Sequence, residues 1–296
     1  MSRRLDGGSR RAEAPALPAS ERDTVTALVT GATDGLGRAV AAELAAAGAT
    51  VLVHGRDDDR GEQTLAEIRE RTGNDRLRWY RADLASLAEV RALAEQVEAE
   101  HDHVDVLVNN AGIGTTLPGD GRRLESADGY ELRFAVNYLA PFLLTRLFVP
   151  RSRIVNVSSA GQAPIDFDDV MLERSYSGVQ AYCQSKLALV MLTFDLADEL
   201  RDRGVTTNCL HPGTYMPTKM VLHAGATPID SLETGVRATM NLIASPELVD
   251  VSGRYFNRLV EARAHAQAYD PDARRRLREL SERLVAEAAP ARTRPR

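Results

Sequence analysis

A tyrosine and a lysine, Tyr182 and Lys186, lie four positions apart in a segment predicted to be helical over about 179–202. Residues at positions i and i+4 share one face of a helix, so the two side chains point the same way. A free tyrosine titrates near pH ~10, too high for efficient proton transfer at neutral pH, and a nearby cation favours the phenolate. The pair could therefore be a proton donor and its activator, although chance supplies this spacing in many helices.

Polar residues that could complete such a centre precede this helix in the chain. Ser158 and Ser159 end a predicted strand, and a hydroxyl there could donate a hydrogen bond to a substrate carbonyl. Asn137 lies within a predicted helix over about 130–148, where asparagine is intrinsically unfavourable. It either serves the chemistry or is a buried structural residue bonded to the backbone.

A glycine-rich segment, Thr30-Gly31-Ala32-Thr33-Asp34-Gly35-Leu36-Gly37, joins the first predicted strand to an alanine-rich helix. Glycines let the backbone approach a pyrophosphate closely, and the helix N-terminus offers free N–H groups and a positive dipole. A glycine triplet alone is weak evidence, but its position at the first strand–helix junction favours a dinucleotide site. The residues expected to contact the dinucleotide here are Gly31, Thr33, Asp34, Gly35, Leu36 and Gly37.

The residues after the second predicted strand bear on which dinucleotide binds. A carboxylate normally holds the ribose 2′-hydroxyl of NAD there, whereas an arginine favours the 2′-phosphate of NADP. Gly55 and Arg56 fill these positions, so we expect NADP. NAD remains the alternative, because the acidic residues 57–59 and Asp34 would repel the extra phosphate.

Other predicted cofactor contacts follow the third, fourth and sixth strands. Asp83 could accept a hydrogen bond from the adenine amino group, or it could simply lead the next helix. Small residues after the fourth strand would let a nucleotide approach. The set comprises Asp83, Leu84, Asn109, Ala111, Gly112, Pro212, Gly213 and Thr214, together with Tyr182 and Lys186.

Short apolar strands alternate with helices along most of the chain. Strands are predicted at 25–30, 50–54, 77–81, 104–108, 153–157, 205–210 and, as the last strand, 255–256. This alternation predicts an α/β fold, a single Rossmann-type doubly wound parallel sheet with helices on both faces. We expect a disordered tail at 1–22, a dinucleotide-binding catalytic domain at 23–260 and a helical C-terminal tail at 261–296.

The composition narrows the class of protein. A net charge of −5 gives no sign of a nucleic-acid binder. The two cysteines do not make a disulfide framework, and no Cys–His spacing indicates a metal site. No apolar run approaches the roughly 20 residues that span a bilayer, and the arginine-rich N-terminus lacks a signal-peptide core. We therefore expect a cytoplasmic protein without a membrane anchor.

Taken together, these motifs resemble those of the short-chain dehydrogenase/reductase family. They occur in the family's order over about 24–256 and comprise Thr30-Gly31-x-x-x-Gly35-x-Gly37, Asn109-Asn110-Ala111-Gly112, Asn137, Ser159, Tyr182-x-x-x-Lys186 and Pro212-Gly213. The stretches 155–159, 181–188 and 211–213 look most like the retinol-dehydrogenase-like branch.

The resemblance implies hydride transfer between a nicotinamide and a small carbonyl or alcohol substrate. Tyr182 would protonate the carbonyl oxygen, or deprotonate the alcohol in reverse. Lys186 would lower the pKa of that tyrosine and hold the nicotinamide ribose. Ser159 would orient the substrate oxygen, and Asn137 would hold a water linking Lys186 to solvent. The family commonly forms homodimers or homotetramers.

The chain departs from the family pattern in two places. The stretch between Ser159 and Tyr182 is long and contains Ile165, Phe167, Met171, Leu172 and Tyr176. It forms either one wall of an apolar substrate site or a surface excursion. Pro217, followed by Thr218, stands where the family often has a threonine that contacts the carboxamide, and Thr214 could make that contact instead.

Two other functions are compatible with parts of this pattern. A non-catalytic nucleotide sensor could use the same fold, but such proteins usually lose the tyrosine or the lysine. A nucleotide-sugar epimerase or dehydratase shares the Tyr–Lys pair. However, it has a different glycine spacing and a larger C-terminal domain than the roughly 40 residues that follow Phe256.

The assignment of Tyr182 can be tested with Tyr182→Phe. Removing the hydroxyl should abolish turnover but leave cofactor affinity nearly intact, because the phenyl ring remains. The readouts are NAD(P)H absorbance and a cofactor binding titration. Substantial turnover by the variant would contradict the assignment.

Overall fold

The computed structural model describes residues 25–116 and 122–288, in which eight strands form one sheet of order β3-β2-β1-β4-β5-β6-β7-β8. The first seven strands are parallel, which confirms the expected α/β fold. The predicted tail at 1–22 lies outside the described residues. The strands are β1 (Thr26–Val29), β2 (Thr50–Gly55), β3 (Leu77–Arg81), β4 (Val106–Asn109), β5 (Arg153–Val157), β6 (Thr206–His211), β7 (Tyr255–Asn257) and β8 (Val260–Ala262).

Helices cover both faces of the sheet. They are α1 (Gly35–Ala46), α2 (Asp58–Thr72), α3 (Leu87–Glu100), α4 (Leu132–Phe134), α5 (Ala140–Leu147), α6 (Gly178–Glu199), α7 (Lys219–His223), α8 (Leu232–Ala244) and α9 (Pro271–Glu287). Successive strand residues point to opposite faces of the sheet, so they pack into two separate hydrophobic cores, one on each face. Leu28 packs with α3, α5 and α6, whereas its neighbour Val29 packs with α1, α2 and α8.

Local capping signals explain where the helices on the site side begin. Asp34 caps α1, Asp57 caps α2 and Ser86 caps α3 with a side-chain oxygen that accepts a backbone N–H of the first turn. Gly73 ends α2 in the left-handed conformation that favours glycine.

The structure differs from the sequence-based expectations in one interrupted helix, one additional strand and two additional helices. The helix expected over 130–148 is interrupted by a π-helical turn at Ala135–Leu139, which contains Asn137. The strand at Tyr255–Asn257 is not the last, because antiparallel β8 follows it and continues the sheet past the expected boundary at 260. Helices α7 and α8 were not predicted.

The C-terminal helix α9 packs on the body of the protein. Leu277 and Ser281 are buried, and the Ser281 hydroxyl lies 2.8 Å from that of Tyr138. Just before α9, the side-chain amide of Gln267 bonds both the N–H and the C=O of Ile165. The segment between Ser159 and α6 is therefore braced by the C-terminal region.

Within residues 25–116 and 122–288, no helix combines the length and apolar character needed to cross a membrane.

Candidate active site

The glycine loop after β1 lies against the loop after β4. Gly31 and Gly35 have φ angles of 64° and 49°, which disfavour residues with a side chain. A Cβ added at Gly31 would lie 2.8 Å from the Cα of Ala111, and one at Gly37 would overlap the Gly31 carbonyl. This cradle of backbone at the start of α1 fits the phosphates of a dinucleotide.

A buried histidine of β2, His54, is hydrogen-bonded to the glycine loop. The Gly31 N–H donates to His54 Nδ1 at 3.2 Å, and His54 Nε2 lies 3.1 Å from the Ala82 carbonyl. Burial lowers the pKa of His54 to about 4, so the ring is neutral and its Nε2–H is the donor to Ala82. One side chain thus links the carboxyl ends of β2 and β3 to the loop after β1.

The two asparagines at the end of β4 have different roles. Asn110 Nδ2 donates to the carbonyls of Thr30 and Gly31, at 2.9 and 3.2 Å. Asn109, the predicted cofactor contact, instead donates to Asn156 Oδ1 at 2.8 Å and is buried between the sheet and α6. The structure therefore assigns the fixing of the glycine loop to Asn110, which was not among the predicted contacts.

The predicted residues after β3 are also placed differently from one another. The Asp83 carboxylate accepts the Ala85 N–H at 3.0 Å through Oδ1, as a turn-leading aspartate does. Its Oδ2 lies 3.9 Å from the guanidinium of Arg56. The Leu84 side chain is buried in the core, so no more than its backbone could face a nucleotide.

Three of the four acidic groups that were expected to repel a 2′-phosphate, Asp34, Asp57 and Asp58, have partners of their own. Asp34 Oδ2 lies 3.4 Å from Arg60 Nη2 and 3.3 Å from Lys219 Nζ. Asp57 caps α2, and Asp58 accepts the indole N–H of Trp79 at 2.7 Å. In contrast, the side chain of Arg56 is 71% exposed. The surface here presents more cationic groups than the sequence spacing indicated.

Tyr182 of α6 lies next to Ser159, which follows β5. A Cβ on Gly161 would lie 3.5 Å from Ser159 Oγ and 3.7 Å from Tyr182 Cε1, so the two side chains are neighbours, and Ser159 Oγ accepts the Gly161 N–H at 3.0 Å. The neighbouring Ser158 hydroxyl donates to the Lys186 carbonyl at 2.8 Å. Of the two serines that end β5, Ser159 is the one whose hydroxyl meets the tyrosine.

Burial controls the protonation of the catalytic pair. It raises the pKa of Tyr182, and the polar side chain of Ser159 only partly offsets this. It lowers the pKa of Lys186 to about 8. The Lys186 ammonium donates to the Val157 carbonyl at 2.9 Å and lies 5.8 Å from the centre of the Tyr182 ring. The expected lowering of the tyrosine pKa by this lysine is thus outweighed by desolvation in this structure.

Asn137 lies next to this pair but uses its side chain structurally. Its Oδ1 accepts the Ile113 N–H at 2.7 Å, and its Nδ2 donates to the Ile113 carbonyl and to Ser185 Oγ. A Cβ on Gly112 would lie 3.3 Å from both Asn137 Oδ1 and Lys186 Nζ. Asn137 therefore seats the loop after β4 against α6, and the predicted water link stays a prediction.

The residues after β6 divide between two positions. Pro212 and Gly213 are buried beside the strand end, and the Thr214 hydroxyl lies 3.1 Å from His211 Nε2. Thr218 directly precedes α7 and lies over the glycine loop, since a Cβ on Gly35 would be 3.0 Å from its methyl carbon. Thr218 is thus the threonine that borders the glycine cradle, whereas Thr214 is held against the strand end.

Comparison with known proteins agrees with this geometry. Residues 25–228 match the short chain dehydrogenase family, and the chain belongs to that family. It is 37% identical to human retinol dehydrogenase 13 over 290 residues, covering 90% of this chain and 86% of the relative. It is also 37% identical to mouse polyprenol dehydrogenase over 302 residues, covering 94% of this chain and 87% of the relative.

Solved structures give the same result. An uncharacterised protein of Mycobacterium paratuberculosis superposes with a TM-score of 0.74 at 30% identity, covering 93% of this chain and 96% of that chain. A protein of Shigella flexneri assigned as a short chain dehydrogenase, in complex with NADP, superposes with a TM-score of 0.64 at 25% identity, covering 80% and 99%. The chain is an NAD(P)-dependent oxidoreductase, and the sensor and sugar epimerase interpretations are disfavoured.

Proposed function

We propose that the protein transfers a hydride between NADP(H) and an apolar carbonyl or alcohol, with Tyr182 as the proton donor and acceptor. The observation that carries this proposal is the proximity of the Tyr182 and Ser159 side chains, which both lie within 3.7 Å of the position of a Cβ on Gly161, beside Lys186 and the glycine cradle. A cytoplasmic location and a homo-oligomeric state remain predictions from the sequence.

The proton chemistry follows from the two hydroxyls. A substrate oxygen placed between Tyr182 and Ser159 would receive hydrogen bonds from both. Because burial raises the pKa of Tyr182, the phenol is protonated at neutral pH and ready to donate in the direction of reduction. In oxidation the same group must accept the proton, and the nearby Lys186 cation favours the phenolate that precedes that step.

The remaining residues of the site bind and orient. The glycine cradle would hold the phosphates, and Lys186 would hold the nicotinamide ribose. When bound, the nicotinamide supplies or accepts the hydride. Val157 fixes the Lys186 ammonium through its carbonyl, and Asn137 keeps the loop containing Gly112 against it. The reacting groups are therefore held by strand ends rather than by mobile side chains.

The preference for NADP rests on charge near the end of β2. Arg56 is exposed and forms an ion pair with Asp83. Arg60 and Lys219 form ion pairs with Asp34 and offset its negative charge. An arginine at this position favours the 2′-phosphate of NADP. The structurally similar Shigella protein is in complex with NADP, which supports the same preference.

The proposal of an apolar substrate rests on the segment after β6. Tyr215, Met220 and Leu222 are large apolar residues that are exposed there, and Met220 lies against Gly114 on the opposite side. Relatives at 37% identity carry the names retinol dehydrogenase and polyprenol dehydrogenase, which denote apolar alcohols. The proposal concerns this chemical class and not retinol itself.

The coenzyme preference is tested by Arg56→Glu. Loss of a charge-assisted hydrogen bond, worth about 1.5–3 kcal/mol, should reduce the ratio of kcat/KM for NADPH to that for NADH by roughly 10- to 100-fold. The matched control is Arg69→Glu, since Arg69 is an exposed arginine of α2 paired with Asp75. An unchanged ratio in Arg56→Glu would refute the role of this arginine.

The substrate class is tested with a series of straight-chain aldehydes and NADPH. An apolar site should raise kcat/KM by about fourfold per methylene while the chain is being buried, as expected from about 0.8 kcal/mol per CH₂. Carboxylated aldehydes of equal length are the control. A preference for these charged substrates would contradict the proposal.

A further inference from the structure

We infer that Asp230 and Arg258 are positioning residues that clasp the two ends of residues 214–230, which we call the flap, and hold the flap closed over the glycine loop. This inference rests on the proposed use of that loop for cofactor binding. Neither residue was singled out by the sequence, and neither touches the reacting hydroxyls.

The clasp joins the two ends of the flap directly. Asp230 Oδ2 accepts the Thr214 N–H at 2.6 Å, and the Asp230 N–H donates back to the Thr214 carbonyl at 3.0 Å. The Ile229 N–H adds a bond to the Tyr215 carbonyl at 3.1 Å. The flap therefore leaves the body and returns to it at a single point.

Arg258 fastens that point to the sheet. It lies in the turn between β7 and β8, where its Nε donates to Asp230 Oδ2 at 3.0 Å and its Nη2 contacts the same oxygen. Its Nη2 also donates to the Thr214 hydroxyl at 3.3 Å, and its backbone N–H donates to the His211 carbonyl at 2.8 Å. The guanidinium of Arg258 thus contacts both ends of the flap, and its backbone attaches them to the ends of β6 and β7.

Backbone conformation supports a specific role for this junction. Among the described residues, three that are not glycine have a left-handed φ, and two of them are Tyr215 at 47° and Arg258 at 57°. Side-chain-bearing residues adopt this region at a cost, so surrounding contacts must maintain it. Here those contacts are the clasp, which adjoins both strained residues.

The body of the flap rests on the predicted cofactor site. Thr218 lies over Gly35, Lys219 pairs with Asp34 at 3.3 Å, and Met220 lies against Gly114. Tyr215 is close enough to Tyr182 for the two phenols to interact electrostatically. Opening the flap would therefore uncover the glycine loop and move an aromatic ring away from the proton-transfer group.

The sequence provides a direct probe of flap opening. Lys186 and Lys219 are the two lysines of the chain, and they differ sharply in exposure. Lys219 is in the flap with its side chain 60% exposed, whereas Lys186 is buried in α6. A lysine-specific endoprotease that cuts after Lys219 reports local opening of the flap, and cutting after Lys186 reports unfolding of the core.

We therefore propose to measure cleavage rates at both lysines in the full chain, in Asp230→Asn and in Arg258→Gln. Arg254→Gln is the matched control, because Arg254 pairs with Glu261 at 3.5 Å in the same hairpin but takes no part in the clasp. The clasp predicts at least tenfold faster cleavage after Lys219 in both clasp variants, with no gain after Lys186. Arg254→Gln should cleave as the unmodified chain does.

Two results would overturn the inference. Unchanged cleavage after Lys219 in both clasp variants would show that the flap does not depend on the clasp. Parallel acceleration after Lys219 and Lys186 would show that these residues stabilise the whole fold instead of the flap.

A second measurement connects the flap to cofactor binding. NADPH fluorescence titration should give a roughly tenfold higher Kd for both clasp variants, with a smaller change in kcat at saturating NADPH. An unchanged NADPH Kd in the clasp variants would show that Asp230 and Arg258 do not position the flap for cofactor binding, even if the flap opens. If the unmodified chain bound no NADPH, the proposed function would fail, while the cleavage rates would still decide whether the clasp exists.

Discussion

The close approach of the loops after β1 and β4 is the constraint on which the rest of the site depends. Gly31 and Ala111 are in backbone contact there, at a distance that admits no side chain on Gly31. The Thr30 hydroxyl accepts N–H bonds from both Asn110 and Ala111, at 3.0 and 3.1 Å. The side chain of Asn110 adds bonds from the same loop and His54 adds one from β2, so the glycine loop has a fixed position before any ligand arrives.

The residues at the ends of β4 and β5 also surround Tyr182 and Lys186 of α6. The loop that holds Gly31 in place continues to Gly112, which lies against Lys186 and Asn137. On the next strand, the Val157 carbonyl fixes the Lys186 ammonium and Ser159 meets Tyr182. Burial of both titrating groups favours their neutral forms, so the site holds a protonated phenol beside a lysine whose pKa is near 8. This arrangement suits the reductive direction without further rearrangement.

The parts of the site that could be predicted from sequence carry their information in a local pattern. Three motifs are of this kind: the glycine triplet, the Tyr182–Lys186 pair and the two serines after β5. The residues that make up each motif are only a few positions apart in the sequence. Their positions at strand ends follow from the alternation of strands and helices, because parallel strands share one carboxyl edge.

The parts that sequence did not predict depend on contacts between distant residues. His54 bonds Gly31 across 23 positions, and Asn110 bonds Thr30 across 80, so nothing in the local pattern distinguishes Asn110 from Asn109. Strand β8 was missed because its hairpin turn has Arg258 in the left-handed position, where glycine or asparagine is the usual signal. The π-helical turn at Asn137 likewise has no signature in residue type.

The claim that Tyr182 and Ser159 together form the proton-transfer centre is tested most directly by comparing Ser159→Ala with Ser158→Ala in single-turnover hydride transfer. Ser159→Ala removes the hydroxyl that lies beside Tyr182, and we predict a fall in rate of roughly 100-fold or more with unchanged NADPH affinity. Ser158→Ala removes a bond to the Lys186 carbonyl and should mainly cost about 1 kcal/mol of unfolding free energy. Equal rates for the two variants would contradict the assignment of Ser159 to the proton-transfer centre.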